Sequence, residues 1–312
     1  MSSENVTVAM AADSNYVYPT GIAINTLAKS TKASVRLLVA VPRDWKRWVS
    51  SDELQMLVEL AELNGWEAQI VQCPISAGDL PRTLHISSMT FMKPAIFDIA
   101  TEETLLFIDG DLIGQAEWTD MKDHIGDSVV AGVSVADMDD FEKVWAPNRP
   151  PGWYINAGVL AVKPALWQEQ YSACWREHLG RYRELGFKYL EQDIMNACLR
   201  GSSSTLPRKF NACPAFGDPI EEASIVHYAG WFKPWLAVPA EVRKLNPHMQ
   251  DAFNRYSKAE RDFSEETEWL LSNASRVTWG KARRRCRGRI NWRAHYRFLR
   301  WRTARLVKDR VR

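Results

Sequence analysis

Thr101-Glu102-Glu103-Thr104-Leu105-Leu106-Phe107-Ile108-Asp109-Gly110-Asp111 is the stretch on which the reading of this chain turns. A polar lead-in gives way to four apolar residues, and these to two carboxylates one residue apart. The apolar run reads as a buried strand delivering Asp109 and Asp111 to its C-terminal end. Open α/β sheets bind ligands at that edge. Neighbouring carboxylates repel unless positive charge lies between them, and a hard divalent cation that also grips a diphosphate meets that need. Taken alone, such a pair has a plainer alternative as solvated turn acids.

Outward from this stretch, apolar runs at residues 6–11, 35–41, 68–72, 129–135 and 157–162 read as further strands. Helical patterns fall between them at 18–30, 52–63 and 93–100, and another helix opens at Pro164. In residues 52–63, Leu54, Leu57, Val58 and Ala61 share one face, and Asn64-Gly65 ends the helix. Strands alternating with helices predict an α/β fold, a mainly parallel sheet covered on both faces. Residues 76–88 and 141–153 read as loops, with Trp145 and Trp153 as aromatic candidates for a ligand contact. Beyond Pro239 the alternation stops and charged helical segments take over.

Composition bounds the function. Hydrophobic residues at 46% and charged residues at 25% suit a globular chain able to bury a large core. Five scattered cysteines without C-x-x-C spacing argue against a disulfide framework or a zinc knuckle, and for a reducing compartment. No run approaches the length of a membrane span, and no secretory signal is visible, so the expectation is a cytoplasmic protein. The net charge of +2 hides a strong asymmetry. Residues 276–312 carry fifteen lysines and arginines against the single acid Asp309, which leaves about −12 on the remainder.

Three more segments carry chemistry. Ile225-Val226-His227-Tyr228-Ala229-Gly230-Trp231-Phe232-Lys233-Pro234-Trp235 hands a short apolar run to a turn holding a histidine, a glycine and a lysine. Gly230 would let the backbone approach a ligand, and Lys233 can reach a phosphate as a point charge. Imidazole beside two carboxylates favours Mn²⁺ over an all-oxygen ion such as Ca²⁺; a lone histidine in a surface loop is the alternative. Glu191-Gln192-Asp193 opens a helix, where acids also serve simply as dipole partners. Asn156, entering the 157–162 strand, could bond a sugar hydroxyl or close a turn.

Together these segments resemble family 8 of the retaining glycosyltransferases, in order along nearly all of residues 5–235. The matching pieces are Ala11-Ala12-Asp13-Ser14-Asn15-Tyr16, Phe107-Ile108-Asp109-Gly110-Asp111, Asn156-Ala157-Gly158-Val159-Leu160, Glu191-Gln192-Asp193-Ile194 and the segment from His227 to Trp235. The resemblance implies a GT-A fold over residues 1–240, a UDP-hexose donor (galactose or glucose) and Mn²⁺, with Mg²⁺ as the alternative ion. It implies that Asp109, Asp111 and His227 ligate the metal, with Gly110 between the carboxylates. Ala11, Asp13, Asn15 and Tyr16 would hold uracil and ribose, Gly230 and Lys233 the diphosphate, and Asn156, Glu191 and Gln192 the donor sugar. Lys93 stands where the family usually has arginine, and Glu191 where relatives often have aspartate. Gln192 is a weak nucleophile, so front-face attack is the expected route, with Gln192, Glu191 and Lys233 as the catalytic set. A sugar-nucleotide-binding scaffold and a metal-dependent phosphohydrolase are the competing readings.

Residues 241–312 read as a helical, basic and aromatic segment for membrane association. On a helical projection Trp292, Tyr296, Leu299, Thr303, Leu306 and Val307 share one face, with Arg293, Arg297, Arg305 and Lys308 opposite. Such a helix suits an anionic membrane surface, peripherally on the inner face, where a lipid-linked or other glycan acceptor would be met. Nucleic acid is the lower-ranked partner and a solvated tail the remaining alternative. Trp279, in the same basic stretch, is expected to lie outside the core.

Overall fold

Leu105–Ile108 is a strand, β4, and all four residues are buried. The computed structural model describes residues 5–81, 87–136, 138–230, 233–236 and 247–287. Around β4 a seven-stranded sheet forms in the order β3-β2-β1-β4-β7-β6-β8. Its strands are β1 (Asn5–Met10), β2 (Ser34–Val41), β3 (Glu67–Gln72), β6 (Val130–Ser134), β7 (Ile155–Val162) and β8 (Ser204–Thr205). β1 runs parallel to both β2 and β4, and β2 to β3. β7 runs antiparallel to β4, with Ile108 opposite Val159. That reversal brings the N-terminal end of β7 to the edge where β1 and β4 end. Two short strands, β5 (Leu112–Gly114) and β9 (Ile225–His227), pair antiparallel above this edge.

Helices cover both faces. Val6, Val8 and Met10 join a core with α1 (Val17–Lys29) and α2 (Ser51–Leu63), whereas Ala9 joins a second core on the other face. That second core is closed by α3 (Met92–Phe97), α5 (Pro164–Gln170) and α7 (Glu191–Leu199). Successive strand residues point to opposite faces, so one strand feeds both cores. α2 starts at a capping box: Ser50 accepts from the Glu53 N–H, and the Glu53 carboxylate accepts from the Ser50 N–H. Such a cap contributes about 1 kcal/mol, and Leu54, Leu57, Val58 and Ala61 are buried as their spacing predicts.

Three sequence expectations change. Residues 141–153 begin inside a helix, α4 (Asp139–Trp145), with acids in its first turn and Phe141 stacked on Trp145 one turn later, at 5.9 Å. Trp279 is fully buried. It lies on α9 (Asn273–Arg287), which packs with α8 (Pro247–Glu266) into the same core as α1. A Cβ on Gly21 would stand 2.6 Å from the Trp279 ring, so the glycine makes room for it. The basic residues of α9 point outward while its indole points in, a division that net charge alone conceals. Third, Cys174 and Cys198 form a disulfide. α6 (Ser172–Gly180) packs on α7 and brings residues distant in sequence together, which spacing along the chain could not show. Among the described residues no helix is long and apolar enough to cross a membrane. Residues 288–312, with the amphipathic pattern, lie outside the described residues.

Candidate donor and metal site

Beside the edge shared by β1, β4 and β7 the structure brings together Asp109, Asp111, His227, Lys233, Lys93 and Glu191. Asp109 follows β4 directly, and its N–H donates to the Gly158 carbonyl at 2.8 Å, extending the ladder past the strand end. Asp111 stands at the start of β5, whose partner β9 places His227 opposite Leu112. The Tyr228 N–H donates to the Asp111 carbonyl at 2.8 Å and fixes the two segments in register. One ligand atom from each of Asp109, Asp111 and His227 lies within 4.8 Å of the others. Two carboxylates and an imidazole at that spacing suit a divalent cation such as Mn²⁺.

Space here is tight. A Cβ on Gly158 would stand 2.2 Å from His227 Cε1, and one on Gly110 would stand 2.0 Å from the Thr20 hydroxyl. Alanine at Gly158 would therefore displace the imidazole. Gly230, in the turn after β9, has φ of 86°, a backbone state that favours glycine.

Charges in the site are arranged in two groups. Asp111 takes the Lys233 ammonium on one oxygen and His227 Nε2 on the other, the latter at 3.2 Å. Burial opposes ionisation of Asp111, but Lys233 and His227 outweigh it and hold the carboxyl well below the usual range. Burial likewise disfavours a charged His227, yet Asp111 outweighs it and raises the imidazole. Lys233 also donates to the Tyr228 carbonyl at 2.6 Å. In the second group, Lys93 sits between Asp109, at 3.0 Å, and Glu191, at 2.7 Å. Burial, with Asp111 adding to it, pushes the Asp109 carboxyl upward despite Lys93. Glu191 Oε2 is buried and has no hydrogen-bond partner among the described residues. An orphaned buried acceptor costs roughly 1–3 kcal/mol, so the site favours a donor arriving with a ligand.

Amide side chains form the floor. Gln192 Oε1 accepts from the Ala157 N–H at 3.0 Å and from Asn156 at 3.2 Å, and its amide donates to the Tyr154 hydroxyl at 3.0 Å. On the β1 side, Ala11 leads into the turn where Asp13 accepts the Asn15 N–H at 2.8 Å and the Ser87 hydroxyl at 2.6 Å. Tyr16 follows, half-buried, its ring edge-on to Trp235 at 6.0 Å. The loop rests on Glu53, which accepts from Ser14 and pairs with Arg285 of α9.

Asn211 was missed by the sequence reading. It is buried; its Oδ1 lies 2.8 Å from His227 Nδ1 and its Nδ2 donates to Asn156 Oδ1 at 2.8 Å. That pairing holds Nδ1–H toward Asn211 and turns Nε2 toward Asp111, where it would be the ring atom offered to a bound cation, the usual way a neighbouring group sets a ligating imidazole. No local motif announces Asn211, because an irregular segment separates it from β9. It arrives through the bridge between Ala212 and Val226.

Comparison with known proteins bears on the fold and the family. The fold is similar to that of LgtC: an active-site mutant superposes with a TM-score of 0.66 at 18% identity, over 82% of this chain and 96% of LgtC. A galactosyltransferase LgtC complex with donor and acceptor sugar analogues gives 0.63 at 19% identity, over 81% and 95%. The likeness defines a GT-A glycosyltransferase architecture. The lipopolysaccharide 1,2-glucosyltransferase of Escherichia coli (strain K12) is 24% identical over 257 residues, 75% of this chain and 74% of that protein. The family model for glycosyl transferase family 8 matches residues 7–238, so the chain belongs to that family and is a sugar-transferring enzyme.

Proposed function

We propose that the chain transfers a hexose, galactose or glucose, from a UDP-sugar to a glycan or lipid-linked acceptor, with retention and with Mn²⁺ or Mg²⁺ bound by Asp109, Asp111 and His227. The observation that carries this reading is the convergence of those three residues with Lys233 on one edge, beside a buried, unpaired Glu191 oxygen. A cation held there would neutralise charge gathering on the departing diphosphate. Lys233 adds a second positive charge, moving from Asp111 to phosphate as donor enters. The anomeric carbon becomes oxocarbenium-like as its bond to the diphosphate breaks. Glu191, screened by Lys93, and the Gln192 carbonyl stabilise that carbon, while the acceptor hydroxyl attacks from the face the diphosphate leaves. Glu191 Oε2 is free to accept a sugar hydroxyl. Ala11, Asp13, Asn15 and Tyr16 form the nucleoside shelf, Gly230 the phosphate turn, and Asn156 a sugar contact.

The named activity of the Escherichia coli relative makes a lipopolysaccharide core the first acceptor to test. In that setting the basic, aromatic residues 288–312 would hold the enzyme on the cytoplasmic face of an anionic membrane. The test is to supply each UDP-hexose with Mn²⁺ or with chelator, and to follow UDP release and sugar incorporation into core oligosaccharide. Metal-dependent incorporation from one donor is expected. Equal turnover in chelator, or hydrolysis unaffected by acceptor, would reject the reading. Flotation with anionic against neutral vesicles tests the membrane part; equal recovery would reject it.

A further inference from the structure

Away from the donor edge, α6 and α7 hold a second group of reactive side chains. Cys174 and His178 stand one turn apart on α6 and face the same neighbour. Cys198 on α7 meets them: one ligand atom from each of the three lies within 4.8 Å of the others. His178 Nδ1 is 3.7 Å from the Cys174 sulfur. Its ring packs against Trp145 at 5.2 Å and nearly parallel to Phe187 at 6.1 Å. His178 Nε2 is buried without a hydrogen-bond partner among the described residues. The ring meets the Cys174 backbone and sulfur, while its Nε2 gives up the hydrogen bond that water would supply, so packing alone is a poor reason for a histidine here.

We propose that, once the disulfide is reduced, Cys174, His178 and Cys198 bind a zinc ion, with a solvent molecule as fourth ligand. Two thiolates and an imidazole are a soft, borderline donor set that suits Zn²⁺ and disfavours Mg²⁺ or Ca²⁺. The three ligand atoms, one from each residue, already lie close enough to share one ion.

The chemistry balances. A dithiol reductant gives two electrons and two protons to the Cys174–Cys198 bond, which becomes two thiols as the reductant closes its own disulfide. Zinc then displaces both thiol protons and forms two Zn–S bonds and one Zn–N bond. Sulfurs on one zinc stand about 3.8 Å apart, from bonds of ~2.3 Å at a tetrahedral angle. The Cα atoms, 5.9 Å apart, keep their places while the side chains rotate. Disulfide and zinc are thus two ties between the same helices. They matter because α7 opens with Glu191 and Gln192, and Leu190 just before it has φ of 50°, a strained state for a branched residue. Either tie holds that entrance.

Cobalt is the probe. The full chain is reduced with a dithiol, freed of it and titrated with Co²⁺, whose thiolate complexes absorb strongly in the near ultraviolet. One equivalent is expected, displaced by Zn²⁺, retained in Asp111→Asn, and absent from oxidised wild type and from Cys198→Ser. His178→Ala should weaken binding by about 100-fold, at least the loss that second-shell changes bring. A reduced wild type without thiolate–cobalt absorption, or absorption untouched by Cys198→Ser, overturns the site. Oxidised and reduced wild type share one sequence, so their comparison decides even where a variant fails to fold. Since the readout is sulfur-specific and Asp111→Asn is a control, failure here leaves the donor-site reading standing.

Discussion

Asp109 and Asp111 are two residues apart, yet the protein surrounds them in opposite ways. Both oxygens of Asp111 are engaged, by Lys233 and by His227, and the surrounding cations hold it ionised. Asp109 shares the Lys93 ammonium with Glu191, and this group ends in a carboxylate oxygen with no hydrogen-bond partner among the described residues. One side is saturated, and a ligand must exchange contacts to enter. The other is short of a donor, and a ligand completes it. Charge exchange suits diphosphate and cation; an open acceptor suits a neutral sugar hydroxyl.

Breaking the Asp111 side should have the largest effect. Asp111→Asn is expected to lower metal-dependent transfer by about 10²–10³-fold and to weaken Mn²⁺ binding, read by electron paramagnetic resonance. Glu191→Gln strikes the other side: transfer should fall roughly 10–100-fold while Mn²⁺ affinity stays within about twofold. If both variants lost Mn²⁺ equally, the two sides would not be separate. Asn211→Ala sharpens the contrast by acting through His227. Mn²⁺ affinity should drop by about 10–100-fold, and Asn211→Asp should restore part of it because an acceptor for Nδ1–H returns.

The smallest effect concerns the support beneath the nucleoside turn. Burial would raise the Glu53 pKa, but bonds from Ser14, the Ser50 N–H and Arg285 outweigh it and lower it. A carboxylate depressed in the folded state stabilises above its unfolded pKa of about 4.3, and that contribution is lost as pH falls through the folded value. Glu53→Gln should therefore cost about 1–2 kcal/mol at neutral pH, allowing for the half-exposed arginine, and the gap should close below about pH 4. Denaturant melts at both pH values check this; a gap constant with pH would remove the ionic contribution.

Much of this was legible in the sequence, for a physical reason. β4 announces itself because a strand buried on both faces needs an uninterrupted apolar run, and its end must be polar. Asp109, Asp111, His227, Glu191 and Lys233 stand beside such runs or open a helix, so local pattern marks them as candidates, and the family resemblance supplied their proposed roles. Asn211 does not, since its position depends on a bridge between irregular segments. Lys93 was visible, but not its seat between two carboxylates, which requires α3 and α7 to meet. Trp279 was misread because a basic helix still has an inner face. The cysteine pair escaped because helix packing, not spacing, joins Cys174 to Cys198.

The seat of Trp279 against Gly21 also settles where the chain goes next. In its final turn α9 bonds Arg285 to the Ser14 carbonyl at 2.7 Å and Cys286 to the Asn15 carbonyl at 3.0 Å. Among the described residues the chain thus reaches Arg287 on a post anchored beside the turn at residues 13–16. Were residues 288–312 to hold a surface or acceptor as proposed, attachment at that post would raise its local concentration there. The acceptor would then meet the enzyme beside the turn proposed to hold the donor's nucleoside.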